Sequence, residues 1–213
     1  MRRGKYEAGW NSRSDLQQKA DRTGEQQVGK KQNELLSYLH DVVFLLAGIL
    51  LVVMLLFRVV VVSGSSMKNT LINGDYIVLL NNVFYGEPKQ GDIVVVSKEA
   101  FKNGEPIIKR IIATEGQWVD IKDGKVYVDN KPLDEKYKLG ATEKKTEMQF
   151  PLQVEKGCVF VMGDNREDSM DSRYPEIGQV DCREILGKAI FLAFPGEDER
   201  TETRDLKRIG GIS

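Results

Sequence analysis

From Val42 to Phe57 the chain runs sixteen residues without a charge, and after Arg58 four valines follow, Val59 to Val62. A membrane-spanning helix requires roughly 20 apolar residues and tolerates about 17 to 25. The run meets that requirement when Arg58 extends its charged end to an interface. Valine is stiff at χ1 and favours strand, so Val59–Val62 are equally compatible with the first strand of a following domain. The span would then draw on Leu35, Leu36 and Leu39. A buried helix of a soluble core would show an apolar stripe, and no such amphipathicity is visible here. A cleaved signal peptide would have an unusually long leading region of about forty residues, and cleavage near Ser65 would remove the anchor.

The flanks orient the span. Arg22, Lys30 and Lys31 precede it within about 20 residues, against Lys68 alone after it. The positive-inside rule therefore puts the N-terminus in the cytoplasm and everything after Val62 outside. Residues 1 to about 34 are polar and too poor in apolar side chains to offset their ordering entropy, so a flexible tail is expected. These readings divide the chain into a cytoplasmic tail (1–40), an anchor (41–60), an exterior domain (61–196) and a loose charged tail (197–213).

Beyond the span the pattern becomes short apolar segments separated by turns. Strands are predicted over Tyr76–Leu80, Asp92–Ser97, Ile107–Ala113, Trp118–Ile121, Lys125–Val128, Val159–Met162 and Leu186–Phe194. Asp123-Gly124 between two of them suits a type I′ hairpin turn. No long helical pattern follows the span, so the exterior domain is expected to be all-β, with polar insertions near 98–105 and 134–148.

Composition removes several chemistries. Of 213 residues 30% are charged, and they nearly cancel to a net −1, so nucleic acid is not an expected partner. There is one histidine, His40, and there are two cysteines, Cys158 and Cys182. No cluster has metal-ligand spacing, so neither a metal nor another cofactor is expected. A Ser-His-Asp triad would have to use His40, about 30 Å of hydrocarbon away from Ser66. The cysteines lie on the exterior side, where a disulfide is permitted, and two buried thiols fit the sequence equally well.

With histidine excluded, a nucleophilic serine needs another base. Ser66 stands in Gly64-Ser65-Ser66-Met67-Lys68-Asn69-Thr70-Leu71, where the chain leaves the membrane. Taken alone, such a stretch is more often a plain turn. Lys109 lies in Pro106-Ile107-Ile108-Lys109-Arg110-Ile111-Ile112, and on a strand residues 107, 109 and 111 share a face. A free lysine has a pKa of about 10.4, and lowering it to about 8 takes roughly 3 kcal/mol, which apolar neighbours can supply. A lysine reaching to water from a strand edge is the plainer alternative. Gly163-Asp164-Asn165-Arg166-Glu167-Asp168-Ser169-Met170-Asp171-Ser172-Arg173 is a solvated loop or a polar scaffold, in which Ser169 or Ser172 could orient Lys109.

Together these segments resemble the type I signal peptidases of Gram-positive bacteria, from the span to about Pro195. Gly64–Leu71 matches the nucleophile box, Gly91-Asp92-Ile93-Val94-Val95 the next strand box, Lys109-Arg110 the base box, and Gly163–Arg173 the last box. The resemblance implies a signal-peptidase/LexA-like fold, with Ser66 as nucleophile and Lys109 as general base. It implies that Ser169 hydrogen-bonds the lysine, while Asp164, Asp171 and Arg173 keep the site in shape. It also implies preprotein substrates cut after small residues of the Ala-x-Ala type, with the bilayer and the secretion machinery nearby.

Two departures stand out. Family members commonly carry proline where this chain has Asn69, and Leu-Pro-Gly-Asp where it has Thr114-Glu115-Gly116-Gln117. Gly64 replaces a serine that serves the oxyanion hole in Gram-negative relatives. The backbone N–H of Ser66 remains as a donor, and losing the other would cost about 2.7 to 4 kcal/mol unless something replaces it. These departures keep open a catalytically silent, membrane-anchored binding or assembly factor, as in some pilus systems. A soluble Ser-Lys autoprotease of the LexA type would need a DNA-binding helical domain in place of the span.

Overall fold

The computed structural model describes residues 13–97, 105–144, 148–198 and 201–212, with side chains described from Glu34 onward. The chain divides into two compact units, Met1–Val53 and Met54–Ser213. The first is helical. Helix α1 runs Arg13–Leu56, and its segment Glu34–Leu56 has 23 residues with a mean hydropathy of 2.6, none of it buried. At 1.5 Å per residue that segment is about 35 Å long, enough to cross a hydrocarbon core of about 30 Å. Of the polar segment expected to be flexible, residues 1–12 lie outside the described residues, and from Arg13 onward the backbone is helical.

The second unit takes in the last helical residues, Met54–Leu56, and then turns at once to strand. The helix stops at Leu56, and β1 is Phe57–Val61. Residues 57–60, assigned to the anchor on sequence, are therefore strand, and Arg58 pairs across from Leu79 instead of capping a span. The χ1 stiffness of consecutive valines is the reason.

The strands that follow are β2 (Tyr76–Asn81), β3 (Ile93–Val96), β4 (Ile107–Thr114), β5 (Trp118–Lys122), β6 (Lys125–Val128) and β7 (Lys131–Pro132). After them come β8 (Leu152–Gln153), β9 (Cys158–Met162), β10 (Val180–Asp181), β11 (Ile185–Phe194) and β12 (Gly210–Gly211). The larger sheet has the order β1-β2-β11-β3-β4-β9-β10, with β12 added to β11. The smaller sheet has the order β7-β6-β5-β8. The β5–β6 hairpin turns at Asp123 and Gly124 with φ of 48° and 71°, the two positive values that a type I′ turn requires. All seven strands expected from sequence are present. The two-residue strands and the one-turn helix α2 (Asn82–Tyr85) had no periodicity to announce them.

Among the described residues three apolar clusters form the core. One joins Met67 and Leu71 to Ile77, Ile93 and Val95, and a second surrounds Val94, Ile111 and Val161. The third lies between the sheets, around Ile112, Val126 and Phe160. Cys158 packs against the third cluster and Cys182 against the second, and no disulfide joins them. Burial raises the Cys182 thiol pKa, with the nearby Cys158 adding to the effect.

Of the tail from Glu197, expected to be loose, the described residues near its end are held against the domain. Gly210–Gly211 pairs with Phe191 and Leu192, and Ile212 covers the first cluster. Backbone pairing gives this charged segment the anchorage that its composition does not advertise.

Candidate active site

Ser66 sits in a loop closed at its base by backbone. Val62 N donates to Asp75 O at 2.8 Å, and Gly74 N donates to Val62 O at 2.9 Å. Within the loop Lys68 N donates to Ser65 O, and both Thr70 N and Leu71 N donate to Met67 O. Met67 and Leu71, each 1% exposed, draw the loop into the core and leave Ser66 half-buried between them and solvent. Asn69 has φ 95°, the left-handed value that the third position of a type II turn reserves for Gly or Asn. Its carboxamide Nδ2 donates to Tyr137 O at 3.0 Å. A proline, locked near −65°, could not take this conformation, so the departure at this position shapes the loop.

Lys109 comes from β4, whose register against β3 places it across from Val94. Ile107 and Ile111 on either side pack into the second cluster, and the lysine is 3% exposed. Its Nζ donates to Ser66 Oγ at 2.8 Å and to Ile108 O at 3.1 Å. A hydroxyl and a buried amine in direct contact, without histidine or metal, can perform acyl transfer. No group of three or more His, Cys, Asp or Glu able to hold a metal occurs among the described residues.

The third stretch wraps around this pair as a lattice of buried charge. Arg110, next to Lys109, makes a bidentate contact with Asp164 at 2.9 Å through both Nε and Nη2. Asp164 also accepts from Thr70 Oγ1 at 2.5 Å, tying the nucleophile loop to the same carboxylate. Asp171 accepts from Gly163 N at 3.0 Å and from Arg173 Nε at 2.8 Å, all of them fully buried. Asn165 reaches back to the Ser66 segment, its N donating to Ser66 O and its Nδ2 to Ser65 O. Ser65 Oγ in turn donates to Asp168.

At Gly163 an added Cβ would lie 2.3 Å from Ser169 Oγ and 2.5 Å from Ser66 O, so only glycine fits. Ser169 is 5% exposed and its Oγ has no hydrogen-bond partner, so the bond to Lys109 that the resemblance implied is not made. The hydroxyl lies over Gly163, while Lys109 donates to Ser66 and to the Ile108 carbonyl. Ser172, the other serine considered for the lysine, accepts from Val161 N at 2.9 Å.

Several participants were not legible beforehand. Arg166, buried, bonds Glu135 and Thr142 from the 134–148 insertion and donates to Gly163 O. The Tyr137 ring stacks on Arg110, 3.9 Å from ring centroid to guanidinium carbon. Burial, then the charge of Glu135, drives the Tyr137 pKa above its ordinary range. Partners 31 residues apart leave no local pattern; the one available signal was a second cation, Arg166, in a loop that carries four acids and Arg173.

A cleft of ≈ 520 Å³ opens over the pair, with Val60, Val62, Ile108 and Met170 among its lining and Ser66 and Lys109 at its floor. The family described as signal peptidase, peptidase S26, matches residues 35–194. The chain belongs to that family. It is 36% identical over 185 residues to signal peptidase I T of Bacillus subtilis, covering 83% of this chain and 94% of the relative. Signal peptidase I of Bacillus licheniformis is 33% identical over 185 residues, covering 83% and 97%. A signal peptidase I crystal structure from Enterococcus faecalis aligns with a TM-score of 0.41 at 29% identity, covering 49% of this chain and 97% of that one.

Proposed function

We propose that this S26 family member is a membrane-bound serine endopeptidase that removes signal peptides from secreted preproteins, with Ser66 as nucleophile and Lys109 as general base. The contact that carries this reading is Lys109 Nζ to Ser66 Oγ at 2.8 Å, at the floor of an open cleft. Neutral Lys109 accepts the Ser66 proton as Oγ bonds to the scissile carbonyl carbon. The C–N bond then breaks, and the lysine returns the proton to the leaving amine. Water, deprotonated by the same lysine, hydrolyses the acyl-enzyme and releases the signal peptide with a free carboxylate.

Asp164, Asp171 and Arg173 act as the scaffold in this scheme, through Arg110, Gly163 and one another. The Ser66 backbone N–H serves the oxyanion. Ser169, buried beside Gly163, limits the space behind the nucleophile. The substrate lies extended against β1, an edge strand of the larger sheet, where Val60 and Val62 line the cleft. Small residues before the cut suit this arrangement, and sites of the Ala-x-Ala type are the expected targets. The apolar part of α1 anchors the enzyme, and the excess of Lys and Arg before it puts the N-terminus in the cytoplasm, with the catalytic domain outside beside the secretion machinery.

The test is cleavage of an Ala-x-Ala preprotein by the full chain in detergent, compared with Ser66→Ala and Lys109→Ala. Each variant is expected to lose at least about 10⁴-fold in kcat, the scale on which such nucleophile–base units fail. Wild-type inertness on several preproteins, or full activity in either variant, would remove the assignment.

A further inference from the structure

The polar tail lies beyond the family-matched residues, which end at 194, yet it reaches the nucleophile loop. Asp75 closes that loop and is fully buried. Its carboxylate accepts from Ile72 N at 2.8 Å within the loop and from Gly196 N at 2.7 Å in the tail. Arg208 then makes a forked contact, Nη1 to Asp75 Oδ1 at 2.9 Å and Nη2 to Oδ2 at 2.6 Å. The same Nη2 donates to Thr70 O at 3.2 Å. Thr70 is four residues from Ser66, and its hydroxyl is the one held by Asp164.

The tail is itself fastened on both sides of Arg208. Arg204 donates to Pro195 O and pairs with Glu197, and Gly210–Gly211 is a strand against β11. A guanidinium held at both flanks, forked onto a buried carboxylate and bonded to a loop carbonyl, is a brace.

We infer that the tail residues 196–198 and 201–212 form a strap that holds the nucleophile loop in register, with Arg208 as a positioning residue for the hydrolysis. The catalytic part of this inference rests on the proposed function; the mechanical part does not. Arg208 touches neither Ser66 nor Lys109 and acts on them through Asp75 and the Thr70 carbonyl.

The experiment is peptide-resolved hydrogen–deuterium exchange on the full chain in detergent, together with preprotein cleavage, for wild type, Arg208→Ala and Arg208→Lys. In Arg208→Ala, amides of residues 66–72 should exchange about 10-fold faster or more, as expected for losing hydrogen bonds to a charged group. Residues 118–128 of the smaller sheet should exchange as in wild type. The kcat should fall about 10-fold with KM held, the pattern of misalignment and not of lost binding. Arg208→Lys keeps the charge but loses the fork, so it should fall between the two. Millimolar guanidinium ion should restore part of the Arg208→Ala rate.

Unchanged exchange over 66–72 in both variants overturns the strap, whatever the activity. Faster exchange in 66–72 and 118–128 alike would mean general destabilisation, and also overturns it. A loosened loop with wild-type kcat removes the catalytic role. Should Arg208→Ala fail to fold, Arg208→Lys alone decides, by the same local exchange. If wild type cleaves no preprotein, the proposed function fails while the exchange still decides the strap.

Discussion

Two loops meet at Ser66, and they are built in opposite ways. The nucleophile loop, residues 63–74, is shaped by backbone hydrogen bonds and by two apolar anchors, Met67 and Leu71. The Gly163–Arg173 loop buries whole charges, Arg166, Asp171 and Arg173 each being at most 1% exposed. Apolar anchors fix where a loop sits but leave its surface side chains adaptable. Buried charges fix orientation, because each carboxylate and guanidinium must find every partner or incur a desolvation cost. The adaptable loop carries the hydroxyl proposed as nucleophile, and the inflexible one serves as the wall behind it.

If that contrast holds, the charged loop should fail first when a partner is lost. Asp171→Ala strands Arg173 in the interior, and a loss of about 3–5 kcal/mol of stability is expected, measurable by denaturant unfolding of the full chain in detergent. A loss below about 1 kcal/mol, the level of an exposed pair, would mean that the loop is not held by charge.

Where the loops touch, Gly163→Ala should act on rate more than on folding. Its Cβ would push on Ser169 and on the Ser66 carbonyl, and displacing the nucleophile by about 1 Å can cost about 100-fold in kcat. Unchanged cleavage would show that the wall can yield and that Ser66 is not set by it.

The smallest effect should come from Asn69→Gly. Glycine keeps the positive φ and loses only the exposed bond to Tyr137 O, so stability should drop by less than about 1 kcal/mol. Asn69→Pro, although it introduces the residue common in the family, should cost clearly more in the same unfolding assay. Equal stability of the two variants would show that the left-handed turn is not required.

Much of this was legible beforehand because it is local. Short apolar segments between turn residues marked seven of the strands, and Asp-Gly marked the hairpin. Stiff valines after an apolar run left strand open for residues 59–62, and strand forms over 57–61. With one histidine and two cysteines little other chemistry was open, so Ser66 and Lys109 stood as candidates, and the family resemblance implied their roles. Ser169 shows the limit: the resemblance supplied a bond to Lys109, and the geometry directs the lysine to Ser66 and the Ile108 carbonyl.

What the sequence determined by itself is whatever depends on near neighbours: an apolar helix of spanning length, the strand periodicity, the turn residues and a short inventory of reactive side chains. Only the tertiary structure decided which distant charges share a carboxylate. Arg110 joins Asp164 across 54 positions, Arg166 joins Glu135 across 31, and Arg208 joins Asp75 across 133. The physical reason is that an ion pair needs only proximity and burial. Both are properties of the packed chain, and nothing in the spacing of the residues along it announces them.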